Sequence, residues 1–397
     1  MPSAPRSSST AADISSAAMS LVAEEGLRGL SLRKVAARAG VSLGGVSYQM
    51  GGKADLVRQL VGDAVAVRRE RHGQWLARAR RADLSDPAVL AAVIGGYLDE
   101  QALGDRDHAL AVCELVLEAG RDPAAYDGMG ELIEGETAFW REALGGLPEG
   151  ADLGEVIAHY CRDELAFALA IGLAPDYRLL RASICARLAE RLHDTGGQGF
   201  AAGFEELAAA MDARAVDVRK SFAADPDSRR ARIAAAVADL IDAEGVAAVT
   251  HRAVAAAAGA PNSTVAHYFR TRDDLLRAGI EALYLAATGS ATALPQAEAR
   301  RGGLSLLRAS GALVLSAARD PSLRPFAIDL RRRRGEHMSA LIEPIGGGRR
   351  LDAAAAQAAS MVVTGAGIAR HALGEANTPE AKSVIERLRR LRAAVQP

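Results

Sequence analysis

THRAVAAAAGAPNSTVAHYFRTR occupies Thr250–Arg272, and a second version of it, SLRKVAARAGVSLGGVSYQMGGK, stands 219 residues earlier at Ser31–Lys53. Aligned without a gap, the two share Arg33/Arg252, Val35/Val254, Ala36/Ala255, Ala37/Ala256, Ala39/Ala258, Gly40/Gly259 and Val46/Val265. The agreement extends upstream, where Ile14, Ala17, Leu21, Glu25 and Gly26 face Ile233, Ala236, Leu240, Glu244 and Gly245. Downstream, Asp55-Leu56 faces Asp274-Leu275. An internal repeat of this long period implies two similar halves.

Each copy reads as three short helices. Ile14, Ala17, Ala18, Leu21 and Val22 recur at helical spacing, as do Ile233, Ala236, Val237, Leu240 and Ile241, which gives each first helix one apolar stripe. Gly26 and Gly245 then stop it, because glycine takes the left-handed conformation at little cost. Ser31 and Thr250 are placed to cap a second helix ending at Gly40 or Gly259. A third begins near Ser42 or near Pro261, whose fixed φ suits a helix start. Two helices joined through a tight glycine turn form a helix-turn-helix.

These residues resemble the DNA-binding region of the tetracycline-repressor (TetR) family: a helix, Glu-Gly, then T-x-x-x-(V/I)-A-x-x-A-G-V, a small polar run, an aromatic pair and a lysine. The second copy keeps the aromatic part as His267-Tyr268-Phe269 and has Arg272 at the lysine position. The first reads Tyr48-Gln49-Met50 and keeps Lys53. The likeness covers about 45 residues per copy. It implies that the third helix enters the major groove while flanking residues hold phosphates. In the second copy it assigns Asn262, Ser263, Thr264, His267 and Tyr268 to the groove, and Thr250, Arg252 and Arg272 to the backbone. In the first it assigns Leu43, Gly44, Gly45, Ser47, Tyr48 and Gln49 to the groove, with Ser31, Arg33 and Lys53 on phosphates. Phe269 and Met50 read as core.

Composition bounds the rest. The 397 residues are 49% hydrophobic, enough for two or more cores, and carry a net charge of −1. Forty-four arginines against four lysines read as the coding bias of a high-GC bacterial genome. Locally, Arg28–Lys53 contains Arg28, Arg33, Lys34, Arg38 and Lys53 with no acidic residue, and Val249–Arg272 contains Arg252, Arg270 and Arg272 with none. Such windows suit a phosphate backbone. Cys113, Cys161 and Cys185 have no metal-ligand spacing and read as reduced core thiols, with a redox role left open. No signal peptide and no run of about 20 apolar residues is present, which points to a soluble cytoplasmic protein without membrane contact. No metal and no cofactor is expected.

The chain divides into a tail over 1–8, a first helix-turn-helix domain over 9–57, and a first helical regulatory domain over 58–211. A linker over 212–228, a second helix-turn-helix domain over 229–276 and a shorter helical domain over 277–397 follow. The fold class is all-α, two fused modules each with a helical bundle behind it. Helices are predicted over 54–81, with Arg68, Arg69, Glu70 and Arg71 on a solvated face, and over 87–103, 106–119, 123–144, 153–171 and 177–192. In the second half they are predicted over 273–287, 299–318, 321–341, 351–373 and 379–395. Thr271 and Asp274 form a capping box that the first copy, with Gly52, lacks. His108, Tyr126, Phe139, Trp140, His159, Tyr160, Phe167, Phe326, His337, Met338, Met361 and His371 read first as core and only second as the lining of an effector pocket.

The resemblance implies a transcriptional regulator that binds a double-stranded DNA operator, a repressor relieved by a small-molecule effector. Enzymatic function is disfavoured by the lack of a nucleophile elbow, a phosphate loop after a strand or a paired metal motif. A helical ligand-binding or protein-interaction module whose helix-turn-helix units have left DNA is the other alternative. The helix pairs 153–171 with 177–192 and 351–373 with 379–395 are expected to form an intramolecular four-helix bundle. The chain would then be a covalent pseudo-dimer with a non-palindromic operator, and a homodimer of fused chains is the competing arrangement.

Overall fold

The computed structural model describes residues 6–193, 197–211, 228–293, 296–335, 338–346, 351–375 and 380–394. Every regular element among them is helical. The first half runs α1 (Arg6–Glu25), α2 (Leu32–Ala39), α3 (Leu43–Met50), α4 (Lys53–Ala79), α5 (Pro87–Asp99), α6 (Arg106–Ala119), α7 (Met129–Ala143), α8 (Gly150–Ile171), α9 (Pro175–Ala189) and α10 (Gly197–Ala210). The second runs α11 (Arg229–Glu244), α12 (His251–Ala257), α13 (Asn262–Tyr268), α14 (Arg272–Ala293), α15 (Gln296–Arg319), α16 (Arg324–Arg332), α17 (Ser339–Ile342), α18 (Ala353–Ala372) and α19 (Glu380–Ala393). No helix among the described residues is long and apolar enough to cross a membrane.

The local rules that start and stop these helices operate in both copies. Ser31 accepts from the Lys34 amide and Thr250 Oγ1 from the Ala253 amide at 3.1 Å, so α2 and α12 have their first orphan donors satisfied. Gly40 and Gly259 turn the chain out of α2 and α12 at φ 67° and 59°, and a Cβ on either would meet nothing within 4 Å. Space is therefore not the reason for glycine there; the left-handed backbone is. The Thr271–Asp274 capping box is complete, with Thr271 N donating to Asp274 at 2.9 Å and Asp274 N to Thr271 Oγ1 at 3.1 Å. In the first copy Asp55 keeps the backbone half alone, accepting from Gly52 N at 2.9 Å. That amide, together with Arg58, holds the Asp55 carboxyl below its usual range.

The two halves share apolar packing. One buried cluster joins Leu98, Ile157, Phe167 and Ile184 of the first half to Leu313, Leu330, Val362 and Leu388 of the second. A second cluster around α1–α4 takes in Ala369 and Ala372 of α18. Helix α8 packs on α18, α9 packs on α18, and α19 packs on both α8 and α18, so the two helix pairs expected to come together do so within one chain. At Gly365 the backbones of α18 and α8 touch: a Cβ there would sit 1.8 Å from the His159 carbonyl oxygen. Any other residue would push the two helices apart.

Ion pairs cross between the halves, most of them buried. Arg331 Nε and Nη2 donate to the two Glu164 oxygens at 2.9 and 2.7 Å, and both side chains are 0% exposed. Arg334 holds Asp163, Arg187 reaches Asp352 at 2.8 Å, and Arg387 reaches Asp152 at 2.9 Å. Such pairs add little net stability against an apolar alternative, yet losing one partner strands a charge in a low dielectric, so they fix one seating of the halves. Arginine abundance is therefore chemistry here as well as coding bias.

Several expectations are corrected. The helix predicted over 321–341 is broken: Pro321–Leu323 is a 3-10 turn, α16 ends at Arg332, and Gly335 at φ 93° turns the chain. Gly335 takes the left-handed conformation that a helix cannot continue through. The helix predicted from 123 begins at Met129, and the one over 87–103 yields to a π-turn at Glu100–Gly104. Arg68 does not lie on a solvated face but is buried beside Glu136. The predicted tail overlaps α1 at Arg6, and its residues 1–5 lie outside the described residues, as do His337 and the linker up to 227. The aromatic and histidine positions read as core are buried, except Tyr126, which is half-buried.

Candidate nucleic-acid interface

Each module leaves one helix unpartnered on its outer side. In α3, Val46 and Met50 face inward, while Leu43, Gly44, Ser47, Tyr48 and Gln49 are exposed and Gly45 half-buried. Tyr48 is 91% exposed and Leu43 46%, unusual values for large apolar groups on a helix that packs well on its other face. In α13, Val265 faces inward, and Asn262, Ser263, His267 and Tyr268 are exposed, with Thr264 half-buried. His267 and Tyr268 meet edge to face with ring centroids 5.3 Å apart, so the two rings form one rigid rim. Phe269 is buried under the Arg230 guanidinium, 5.3 Å from its ring centroid, and its carbonyl oxygen is 2.8 Å from His251 Nε2. That contact ties the end of α13 back to the start of α12.

The basic residues separate once their neighbours are known. Arg33 and Lys53 are exposed, as are Arg252 and Arg270, and no ion pair involves them among the described residues. Lys34 and Arg38 also lie in the acid-free window, but they are paired with Glu25 and Glu24, respectively. The window that is free of acids in sequence is thus not free of them in space: of its five cations, Arg28, Lys34 and Arg38 face Glu118, Glu25 and Glu24. Glu24-Glu25 stands just upstream of the window, and helix α1 brings it alongside α2. The Arg38 hydrogen bond holds Glu24 below the usual carboxylate range.

Arg272, assigned to the backbone by the resemblance, is half-buried and turned inward. Its Nε donates to the Val249 carbonyl at 3.1 Å and its Nη2 to that of Val246 at 2.8 Å. Arginine braces the turn before α12, a task that the exposed Lys53 does not share. Thr250 and Ser31 present their hydroxyls at the N-termini of α12 and α2, where backbone N–H groups and the helix dipole favour an anion.

The sequence did not single out a second feature, a cleft of about 540 Å³ between α4 and α7, lined by Val65, Arg68, His72, Leu76, Leu132 and Phe139. His72 stacks on Phe139 at 4.7 Å, and its Nε2 lies 3.0 Å from Tyr97 Oη. Burial, reinforced by Arg68, pushes the His72 pKa down to about 4, so the ring is neutral at physiological pH. On the far side of Arg68 and Leu132 a smaller cavity opens between α6, α7, α8 and α15, and buried Arg162 faces it with Nε unpaired. Burial pushes the Cys113 and Cys185 thiols up to about 12, which suits inert core thiols.

No curated protein matches the chain. A family model described as bacterial regulatory proteins, tetR family, matches twice, at residues 14–60 and 233–278. Those two spans coincide with α1 to the early turns of α4 and with α11 to the early turns of α14. The chain carries two tetR-family N-terminal modules in tandem, and these modules indicate a DNA-binding transcriptional regulator.

Proposed function

We propose that the chain is a repressor that reads an asymmetric operator with its two different recognition helices and is released by a small apolar effector. It acts as a covalent pseudo-dimer. The observation that carries the reading is the seating of both modules on one helical core through buried ion pairs from opposite halves. A two-fold homodimer would present two identical helices; here both are present in one chain and differ.

In this reading Asn262, Ser263, Thr264, His267 and Tyr268 face base edges, and Asn262 supplies the amide that pairs bidentately with adenine. Thr250, Arg252, Ser31, Arg33 and Lys53 hold phosphates. Leu43, Gly44, Gly45, Ser47, Tyr48 and Gln49 offer a smoother surface that meets thymine methyls and sugar. Segments 58–211 and 277–397 work as one regulatory body. The effector enters between α4 and α7, its apolar part against Phe139 and Leu76 and a polar group toward Arg68 and His72.

A gel shift with the promoter region beside its own gene tests the reading, with light scattering of the free protein and of the complex. One 41.4 kDa chain per operator and a non-palindromic footprint are expected. Twice that mass for the free protein, or a palindromic footprint, refutes the pseudo-dimer, and the absence of any shift refutes operator binding. A second reading, in which the first unit no longer touches DNA, rests on Leu43-Gly44-Gly45 and on the neutralised Lys34 and Arg38. It predicts a footprint covering one half-site.

A further inference from the structure

Arg-Asp-Pro occurs at Arg121-Asp122-Pro123 and again at Arg319-Asp320-Pro321. Both follow or close the helix that packs at the centre of the molecule, α6 in one half and α15 in the other, and both lead into a 3-10 turn. The two arginines are structural counterparts. Each reaches across to the opposite module. Arg319 donates through Nε to the Ala23 carbonyl at 2.6 Å and through Nη2 to the Val22 carbonyl at 3.1 Å, at the C-terminal end of α1. Arg121 donates through Nη2 to the Asp242 carbonyl, at the C-terminal end of α11. Ala23 and Asp242 occupy the same place in the 219-residue repeat.

The exchange has a physical basis. The last four carbonyls of a helix have no intrahelical donor and lie at the negative end of its dipole, so a cation there is favoured. Carboxylates aim the arginines. Glu114 accepts from Arg319 Nη1 at 2.6 Å, and Glu118 lies 3.0 Å from Arg121 Nε. Arg28 completes the joint, 3.3 Å from Glu118 and donating to the Ala243 carbonyl at 2.8 Å, while Arg308 holds the Asp242 carboxylate with Nε at 2.7 Å. Helices α6 and α15 pack on each other, so the first helix of each module is anchored to the same central contact.

We propose that Arg121 and Arg319 are positioning residues that fix the separation of the two recognition helices, and through it the half-site spacing the protein accepts. Neither touches DNA. The inference rests on the operator-binding reading only for its consequence; the separation itself is a property of the free protein.

Two measurements test it. Sites are selected from random duplexes with the full chain, and binding is then compared on variants of the selected site with one or two base pairs added to or removed from the spacer. The unsubstituted protein should discriminate between spacings by about tenfold, and Arg121→Ala with Arg319→Ala should level this to within about twofold. Affinity for random DNA and the salt slope should not change, which a general loss of fold would not reproduce. Arg121→Lys with Arg319→Lys, which keeps a donor at each carbonyl, should restore part of the discrimination and serves if the alanine pair does not fold. An unchanged spacing profile in the double variant overturns the proposal. If the protein selects no site, operator binding fails, and the second measurement decides: spin labels at Tyr48→Cys and Tyr268→Cys should give a narrow distance distribution that broadens in the arginine variants. An unaltered distribution overturns the proposal.

Discussion

At the start of α3 the chain places Leu43, Gly44 and Gly45, and at the start of α13 it places Asn262, Ser263 and Thr264. Both helices nevertheless follow a left-handed glycine and seat a fully buried valine, Val46 or Val265. What the copies share is what packing requires, since a lost buried side chain costs several kcal/mol and an exposed one little. What they do not share is the surface that would meet a ligand. The electrostatics diverge in the same way: Glu24 and Glu25 neutralise two cations in the first copy, whereas the second has Ala243 and Glu244 at those places and no basic pair opposite them.

The comparison presupposes that one body holds both modules, and the largest expected effect comes from breaking that body. Among the described residues, Arg331→Ala leaves the Glu164 carboxylate the Tyr160 and Tyr177 hydroxyls, at 2.9 and 2.8 Å. Urea unfolding should show a loss of about 3–5 kcal/mol, and Glu164→Leu with Arg331→Met should recover most of it. A loss under about 1 kcal/mol would mean that the halves are not held through this pair.

Acid should next act through the buried histidines. His72 and His108 of the first half are held neutral, their pKa values lowered to about 4 and about 3 by burial and then by Arg68. For a base with a depressed folded pKa, the unfolded chain takes up the proton first. Stability is therefore full above the unfolded value of about 6.5 and declines as pH falls toward about 4, by up to about 1.4 kcal/mol per unit for each ring. Between pH 7 and pH 5, His72→Phe should remove about 2 kcal/mol of that decline. An identical acid limb in the variant would show that His72 is not the group responsible.

On DNA, Asn262→Ala should cost about 1–3 kcal/mol on the selected site and relax the base preference at one position, whereas Leu43→Ala should change preference little. Equal losses on random and selected DNA for Asn262→Ala would reverse the assignment. For the backbone contacts, Arg33→Ala with Lys53→Ala should lower the slope of log K against log salt by about two. Lys34→Ala with Arg38→Ala should lower it less, because Glu25 and Glu24 already compensate those charges; equal slopes for the two pairs would show the ion pairs opening on DNA.

The smallest effect sharpens the comparison. Grafting Leu43→Asn, Gly44→Ser and Gly45→Thr meets no steric bar, since the nearest atom to a new Cβ is Ser42 Oγ at 3.9 and 3.4 Å. Replacing two helical glycines with serine and threonine should raise stability by a few tenths of a kcal/mol each, about half or less of the glycine-to-alanine difference of about 1 kcal/mol. Selection with the grafted protein should then return a site closer to palindromic. An unaltered site would place the first copy's reading elsewhere.

The three-helix modules, their caps and their glycine turns were legible in the residues, because each depends on contacts within about four positions along the chain. The pairing of α8 and α9 with α18 and α19 was legible as well, from apolar helix pairs at equivalent places in the halves. The exposed set on α3 and α13 was legible as positions, since exposure follows from helical phase; which cations are free of ion pairs was not. Glu24 and Glu25 lie outside the basic window in sequence and beside it in space. Pairing of that kind is a property of how α1 crosses α2.

The residues alone determined the repeat, the all-α class and the two turns that make each helix-turn-helix, because these are local and recur in register 219 residues apart. The tertiary structure alone decided what the arginines do. Arg331 and Arg334 meet Glu164 and Asp163 across more than 160 positions of chain, Arg319 caps a helix that ended 294 residues before it, and Arg272 turns inward where Lys53 does not. A guanidinium carries five donors on a long stem, and nothing in its neighbours along the chain says which carbonyl or carboxylate it will reach. That choice is made by the burial of the surrounding apolar surface, which shuts the charge away from water and leaves it the acceptors that the packed helices bring within reach.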